Sequence, residues 1–201
     1  MNQKEIIETF ERMGIILKGH FVYASGRHGP VYVGKDLLYP DTQLTSKLCF
    51  FMAKKFYGED VDAVVAPEKG GIILSQWIAY HLSIFSSKQV FSFYAEKTPD
   101  GGFSLNRGNA KKRIPCKRIL LAEDVLTTGG SIRKVANEVR RQNGFIVGLT
   151  ALWNRGGVTS DEAGHVPKLF SLVNKRYPDW DEKECSLCRE KVPVNTDFGK
   201  Q

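Results

Sequence analysis

Apolar residues recur along this chain at two different spacings, and the switch between them divides it. Near the start, Ile6, Ile7, Phe10 and Met13 fall three and four positions apart, which predicts a helix stopped by Gly14. A second helix is predicted from Asp41, whose carboxylate can cap the first turn. Leu44, Leu48, Phe51 and Met52 form its inner stripe and Gly58 its end. Beyond it the pattern alternates. "DAVVA" (62–66) is a short strand, "PEKGG" a loop and "IILSQWIAYHL" a helix, and "QVFSFYA" (89–95) and "RILLA" (118–122) are strands. Between these last two lies a polar stretch of about fifteen residues, long for a structureless loop in a compact domain. "SIRKVANEVRRQNG" predicts a helix with Ile132, Val135, Ala136 and Val139 on one face and a stop at Gly144. "FIVGLTALW" (145–153) and "KLFSLV" (168–173) close the set as strands. Continuous apolar strands alternating with helices imply parallel pairing buried on both faces. The expected fold is therefore a doubly wound α/β domain, a central, mostly parallel sheet flanked by helices. One domain is expected, with an N-terminal segment (1–40), a core (60–175) and a polar C-terminal appendage (176–201).

Composition changes this picture little. The 201 residues are 42% hydrophobic and 25% charged, which suits one soluble domain with a real core. No apolar run approaches the length of a membrane span. The N-terminus "MNQKEIIETFERMG" is too acidic for a signal peptide, so a cytoplasmic protein is expected. A net charge of +7 favours an anionic partner without saying which. The densest basic cluster, Lys111, Lys112, Arg113, Lys117 and Arg118, reads as a solvated loop before a strand. Cys49 and Cys116 stand alone, whereas Cys185 and Cys188 form a CxxC. That pair is half a zinc site with no second pair nearby in sequence, so no protein-held metal is expected there. Neither cysteine has a histidine companion in sequence to suggest nucleophilic catalysis. His20 and His28 are placed in the N-terminal pocket, and His81 and His165 are given structural or solvent-facing roles.

The chemistry concentrates in "ILLAEDVLTTGGS" (119–131), where an aliphatic strand ends in two adjacent acids, then hydroxyls and glycines, at the start of a helix. Ligands of a parallel sheet sit beyond the carboxyl ends of its strands. Gly129 and Gly130 can turn tightly, and the amides of the helix start with the hydroxyls of Thr127, Thr128 and Ser131 suit a phosphate monoester. Glu123 and Asp124 would repel that phosphate and so must face hydroxyls or a cation. A sugar phosphate meets both demands. No GK[ST] follows, which excludes a Walker loop, and the dinucleotide G-x-G-x-x-G is absent.

This stretch resembles the phosphoribosyl pyrophosphate (PRPP) motif of type I phosphoribosyltransferases. Three further segments resemble the orotate branch in the same order: "HFVYASGRHGPVYVGKDLLYP" (20–40), "APEKGGIILS" and "ALWNRGG" (151–157). The resemblance implies the type I phosphoribosyltransferase fold with a small N-terminal hood. It also implies transfer of phosphoribose from PRPP to orotate, with Mg²⁺ held mainly by substrate, in de novo pyrimidine (UMP) synthesis. PRPP would be bound by Lys69, Gly70, Glu123, Asp124, Val125, Leu126, Thr127, Thr128, Gly129, Gly130, Ser131 and Arg107. Orotate would be bound by Thr127, Arg155, Tyr32 and Val33. Lys97, Asp124 and Glu123 would be the catalytic residues. The polar stretch "EKTPDGGFSLNRG" (96–108) would be the mobile loop that folds over pyrophosphate, often in the partner subunit of a homodimer, with Gly101 and Gly102 permitting the movement. Two departures stand out. The usual loop pattern R-K-x-x-K-x-H is replaced by "AEKTPDGG", and the lysine that often precedes S-G-R is Ala24. Alternatives are a phosphoribosyltransferase acting on a purine or another pyrimidine, and a PRPP-sensing regulator of the same fold that binds nucleic acid. Intact Lys69, Glu123, Asp124 and Arg155 argue for the enzyme and make nucleic acid an unexpected partner.

Overall fold

A computed structural model describes residues 1–23 and 25–198, so Ala24 and the last three residues of the expected appendage lie outside the described residues. The chain divides into two compact units. One runs from Asp41 to Asn174, and the other combines both chain ends, Met1–Pro40 with the segment from Lys175. The N-terminal segment and the C-terminal appendage thus belong to one of these units.

In the chain-end unit, helix α1 (Gln3–Arg12) begins with a reciprocal cap. Asn2 Oδ1 accepts from the Glu5 amide and Glu5 Oε2 from the Asn2 amide, each at 3.0 Å. The helix buries Ile6 and Phe10, as the spacing predicts, and Gly14 leaves it with φ +68°. Strands β1 (Ile16–Val22) and β2 (His28–Val33) then pair antiparallel. This hairpin is not predicted, because Lys18, Gly19 and His20 interrupt any apolar alternation. The hairpin packs closely at Gly29, where any Cβ would overlap the Tyr23 hydroxyl, which itself donates to the Val31 carbonyl at 2.6 Å.

The larger unit follows the predicted alternation. Asp41 caps α2 (Thr42–Lys54) by accepting from the Leu44 amide at 2.9 Å. Its buried stripe is Thr45, Leu48, Cys49, Met52 and Ala53, so Leu44 and Phe51 lie at its margins and not at its centre. Next come β3 (Ala63–Pro67), α3 (Gly70–Ser86), β4 (Phe91–Lys97) and the two-residue β5 (Phe103–Ser104). After a short α4 (Ala110–Arg113) follow β6 (Arg118–Leu126), α5 (Gly130–Arg141), β7 (Phe145–Asn154) and β8 (Leu169–Asn174). Among the described residues the strand order is β5-β4-β3-β6-β7-β8, parallel except for the antiparallel edge strand β5. β3, β6 and β7 are almost wholly buried, which is why they read as continuous apolar runs. Ile132, Val135, Ala136 and Val139 of α5 close one face of that core, as expected. Gly71 lets α3 approach β3: a Cβ there would stand 2.6 Å from that of Ala66.

The polar stretch at 96–108 is the main correction in this unit. It is a folded hairpin, not an open loop. Thr98 and Gly102 close its turn, with the Thr98 amide donating to the Gly102 carbonyl at 3.1 Å, and β5 returns along β4. Lys134 of α5 donates to the Gly101 carbonyl at 2.6 Å. Glu138 of the same helix accepts from the Leu105 amide at 3.3 Å. Gly101 supplies the turn's positive φ of +77°.

In the chain-end unit, the returning tail pairs its backbone with the hairpin. His28 and Trp180 exchange amide–carbonyl bonds of 2.8 and 2.9 Å, and the Asn195 amide donates to the His20 carbonyl at 2.7 Å. Arg27 Nε meets Asp179 Oδ1 at 2.8 Å. A single helical turn, α6 (Ser186–Arg189), carries Cys188.

Candidate active site

Parallel pairing of β4, β3, β6 and β7 brings their carboxyl ends to one edge of the sheet of the larger unit, where Lys69, Lys97, Glu123, Asp124 and Arg155 lie at or just beyond strand ends. β6 runs further than predicted, through Glu123 and Asp124 to Leu126. Both acids are buried, at 7% and 5% exposure, and as successive strand residues they leave opposite sides of the strand. The Val125 amide donates to Asp124 Oδ1 at 2.6 Å, which fixes that carboxylate against its own backbone.

Immediately beyond, residues 125–132 with Glu123 surround a hollow of about 110 Å³. Its floor is the start of α5. The cap residue is Gly129 at φ +73°, which has no side chain to occupy the first-turn amides. A Cβ at Gly129 would also come within 3.0 Å of Val158 Cγ1 and the Glu162 carbonyl, so the position needs glycine for two reasons. Hydroxyls of Thr127, Thr128 and Ser131 ring a positive helix end of the size and polarity a phosphate monoester requires.

Two more predicted residues stand at neighbouring strand ends. Lys69 caps the start of α3 and is exposed, beside Gly70 and after a cis Glu68–Lys69 peptide. Lys97 ends β4, exposed, with its amide donating to Glu68 Oε1 at 2.7 Å. Glu68 therefore joins the two lysine-bearing segments, a role that the sequence reading missed. Arg107, expected at the pyrophosphate, is ion-paired across the hairpin with Glu96 at 2.6 Å.

Arg155 follows β7 and is held to the phosphate loop by backbone bonds. The Leu126 carbonyl accepts from the Arg155 amide at 2.9 Å and from the Gly156 amide at 3.0 Å. Asn154 braces the turn by donating to the Val158 carbonyl at 2.9 Å and accepting from its amide at 2.8 Å. At Gly156 a Cβ would overlap the Thr127 carbonyl oxygen. "ALWNRGG" thus encodes close apposition of two loops as well as a cation.

Tyr32 and Val33 belong to the chain-end unit, at the end of β2. Val33 is buried, and the half-buried Tyr32 ring lies tilted against those of Phe21 and Phe198, with centroids 5.6 and 5.8 Å away. His20 and His28, placed by sequence in a ligand pocket, are instead buried beside Cys185 and Cys188. The expectation that these cysteines lack a histidine companion is therefore corrected. A spacing of eight positions between the histidines and a tail 165 positions away concealed the grouping. His81 packs among aromatic rings, stacked on Trp77 and accepting or donating at Ser46.

The phosphoribosyl transferase domain family matches residues 42–188. An orotate phosphoribosyltransferase of a Thermoanaerobacter species is 33% identical over 198 residues, 96% of each chain. That of Thermus thermophilus is 33% identical over 190 residues, 94% of this chain and 98% of its own. Among solved structures, the orotate phosphoribosyltransferase of Mycobacterium tuberculosis superposes with a TM-score of 0.69 at 20% identity, covering 86% of this chain and 95% of that one.

Proposed function

The chain belongs to the orotate phosphoribosyltransferases, and from that membership and the residues of the site we propose that it converts orotate and PRPP to orotidine 5′-phosphate and pyrophosphate, in the synthesis of UMP. One observation carries the reading: a buried acid pair runs directly into a glycine-capped helix start, and the Leu126 carbonyl between them accepts one hydrogen bond from the strand-end Arg155 amide and one from that of Gly156.

In this reading the hollow of residues 125–131 holds the 5′-phosphate, and Glu123 and Asp124 accept from the ribose hydroxyls. Orotate's ring nitrogen, easily deprotonated, forms the new bond to the anomeric carbon while the bond to pyrophosphate oxygen breaks, with inversion. Positive charge grows on the ribose and negative charge on the leaving group. The buried carboxylates favour the first, and Lys69 with Lys97 favours the second. Arg107 joins them only by leaving Glu96. Arg155 meets the carboxylate of orotate with a charge-assisted, fork-shaped pair, while Thr127, Tyr32 and Val33 contribute to base binding. No covalent intermediate is required.

Mg²⁺ is a hard cation that takes oxygen ligands, and carboxylates and hydroxyls are the donors that the β6 end offers. Most of its ligands would come from the substrate. Bound there, it would neutralise charge on the departing pyrophosphate. The chain is proposed to be cytoplasmic and homodimeric. Among the described residues no helix is long and apolar enough to cross a membrane. Exposed Tyr57, Tyr80 and Ile84 give the larger unit an apolar surface that favours self-association.

Pyrophosphate release from PRPP and Mg²⁺ tests the assignment, with orotate, adenine, hypoxanthine and uracil compared as acceptors. Turnover with orotate alone is expected. Turnover with a purine and not with orotate would refute the base assignment. Replacing Arg155 by Ala should raise the KM for orotate by at least about tenfold while leaving that for PRPP within about twofold, as expected for loss of one charge-assisted contact.

A further inference from the structure

Far in sequence from the sheet edge, four side chains converge inside the chain-end unit. His20 and His28 come from the β1–β2 hairpin, Cys185 and Cys188 from the returning tail, and one donor atom from each lies within 4.8 Å of all the others. His20, His28 and Cys185 are buried and Cys188 is half-buried. We propose that these four residues form a structural Cys2His2 zinc site that fastens the C-terminal tail to the N-terminal hairpin.

The distances suit the ion. A tetrahedral zinc with usual bond lengths sets nitrogen and sulfur about 3.6 Å apart. The nitrogen–sulfur separations are 3.6 Å for Cys185 to His20 Nε2, 3.7 Å for Cys188 to His20 Nε2 and 3.4 Å for Cys188 to His28 Nδ1. His20 Nε2 and His28 Nδ1 are 2.8 Å apart, closer than the about 3.3 Å of a loaded site, so binding requires only a few tenths of an ångström of expansion.

Hydrogen bonding alone accounts poorly for this group. His20 Nδ1 faces the Val192 carbonyl at 2.8 Å and so must carry its proton, which leaves the lone pair on Nε2. Both sulfurs and His28 Nδ1 crowd that one lone pair, and only one of them can donate to it well. A cation accepts from all four at once. The Val192 contact is also the outer hydrogen bond that typically fixes the tautomer of a zinc-binding imidazole. Four protein ligands leave no open position, which fits a structural role, and two thiolates with two imidazoles select zinc over magnesium. A small unit assembled from two chain ends is the kind that needs such a fastening. β2 also carries Tyr32 and Val33, so the metal would hold the proposed base-binding strand in place.

The test uses the full chain, purified without chelators or a histidine tag. Elemental analysis should find about one zinc per chain, and exchange with cobalt should give intense tetrahedral visible bands with a thiolate charge-transfer band. Cys188→Ser and His28→Ala should each lower retained zinc at least about tenfold, while Cys116→Ser, outside the group, leaves it unchanged. Stripping zinc from the wild type should speed proteolysis of the tail at least about tenfold. If reduced wild-type protein incubated with zinc retains less than about a tenth of an equivalent, the proposal is overturned. A cobalt spectrum that is octahedral or lacks the thiolate band overturns it equally. Both wild-type measurements stand even if the variants do not fold. Neither depends on turnover of orotate, so failure here leaves the proposed reaction untouched.

Discussion

At the scale of single residues, the two acids of β6 make the sharpest demand on the sequence. A buried carboxylate persists only where something meets its charge, and Asp124 has one amide partner at 2.6 Å from its own strand. Asp124→Asn keeps the shape and removes the charge. It should lower kcat by roughly a hundredfold, the loss typical of one electrostatic contact made in the transition state, with an unchanged melting profile. Near-normal turnover would remove Asp124 from the catalytic group. Gly156 tests the neighbouring loop. In Gly156→Ala the new methyl must displace the Thr127 carbonyl, at a cost of about 1–3 kcal/mol in stability, and calorimetry should show weaker PRPP binding. Most of these residues were legible in the sequence because phosphate loops concentrate glycine and hydroxyls in one short run. Glu68 was not, because a lone glutamate in a loop carries no pattern until its partner, the Lys97 amide, is in place.

Among secondary-structure elements, α5 has two tasks. Its start lines the hollow proposed to take phosphate, and its far end anchors the hairpin of β4 and β5. The anchor is Glu138, whose carboxylate accepts a fork from Arg141 at 2.7 and 2.8 Å, a bond from Gln142 at 2.8 Å and the Leu105 amide. Burial alone would raise its pKa. The fork from Arg141, Gln142 and the Leu105 amide outweigh burial and hold it below its ordinary value of 4.5. A depressed carboxyl stabilises the fold fully above that ordinary value and loses its contribution as pH falls through the lower folded value. Glu138→Ala should therefore cost about 1–3 kcal/mol at neutral pH, with the deficit shrinking below about pH 4.5. Chemical denaturation across pH measures both. The long helices α1, α2, α3 and α5 and the buried strands were predictable from periodicity and from runs of Val, Ile and Leu, whereas the single turns α4, read as a solvated loop, and α6 were not. β1, β2 and β5 were not, because their sequences show no apolar alternation and their pairing depends on partners that local pattern does not specify.

For the molecule as a whole, the β1–β2 hairpin cannot gain its tail partners until residues 179–195 exist. A chain ending at Asn174 would lose Trp180, Asp179 and Asn195, which hold the β1–β2 hairpin from the other side. Such a truncation should leave amide protection in β3, β6 and β7 within about threefold of the full chain and abolish it in β1 and β2, as expected when separate cooperative units are uncoupled. Equal loss in both units would show that they do not unfold separately. Joining of the two ends was invisible in sequence because no local signal links positions 165 apart. A further consequence comes from the shared Leu126 carbonyl, which accepts from both Arg155 and Gly156. The turn proposed to read the acceptor and the turn proposed to grip the donor are mechanically one piece. Attempts to retarget this protein to another base by rebuilding positions 155–157 should therefore disturb donor affinity as well.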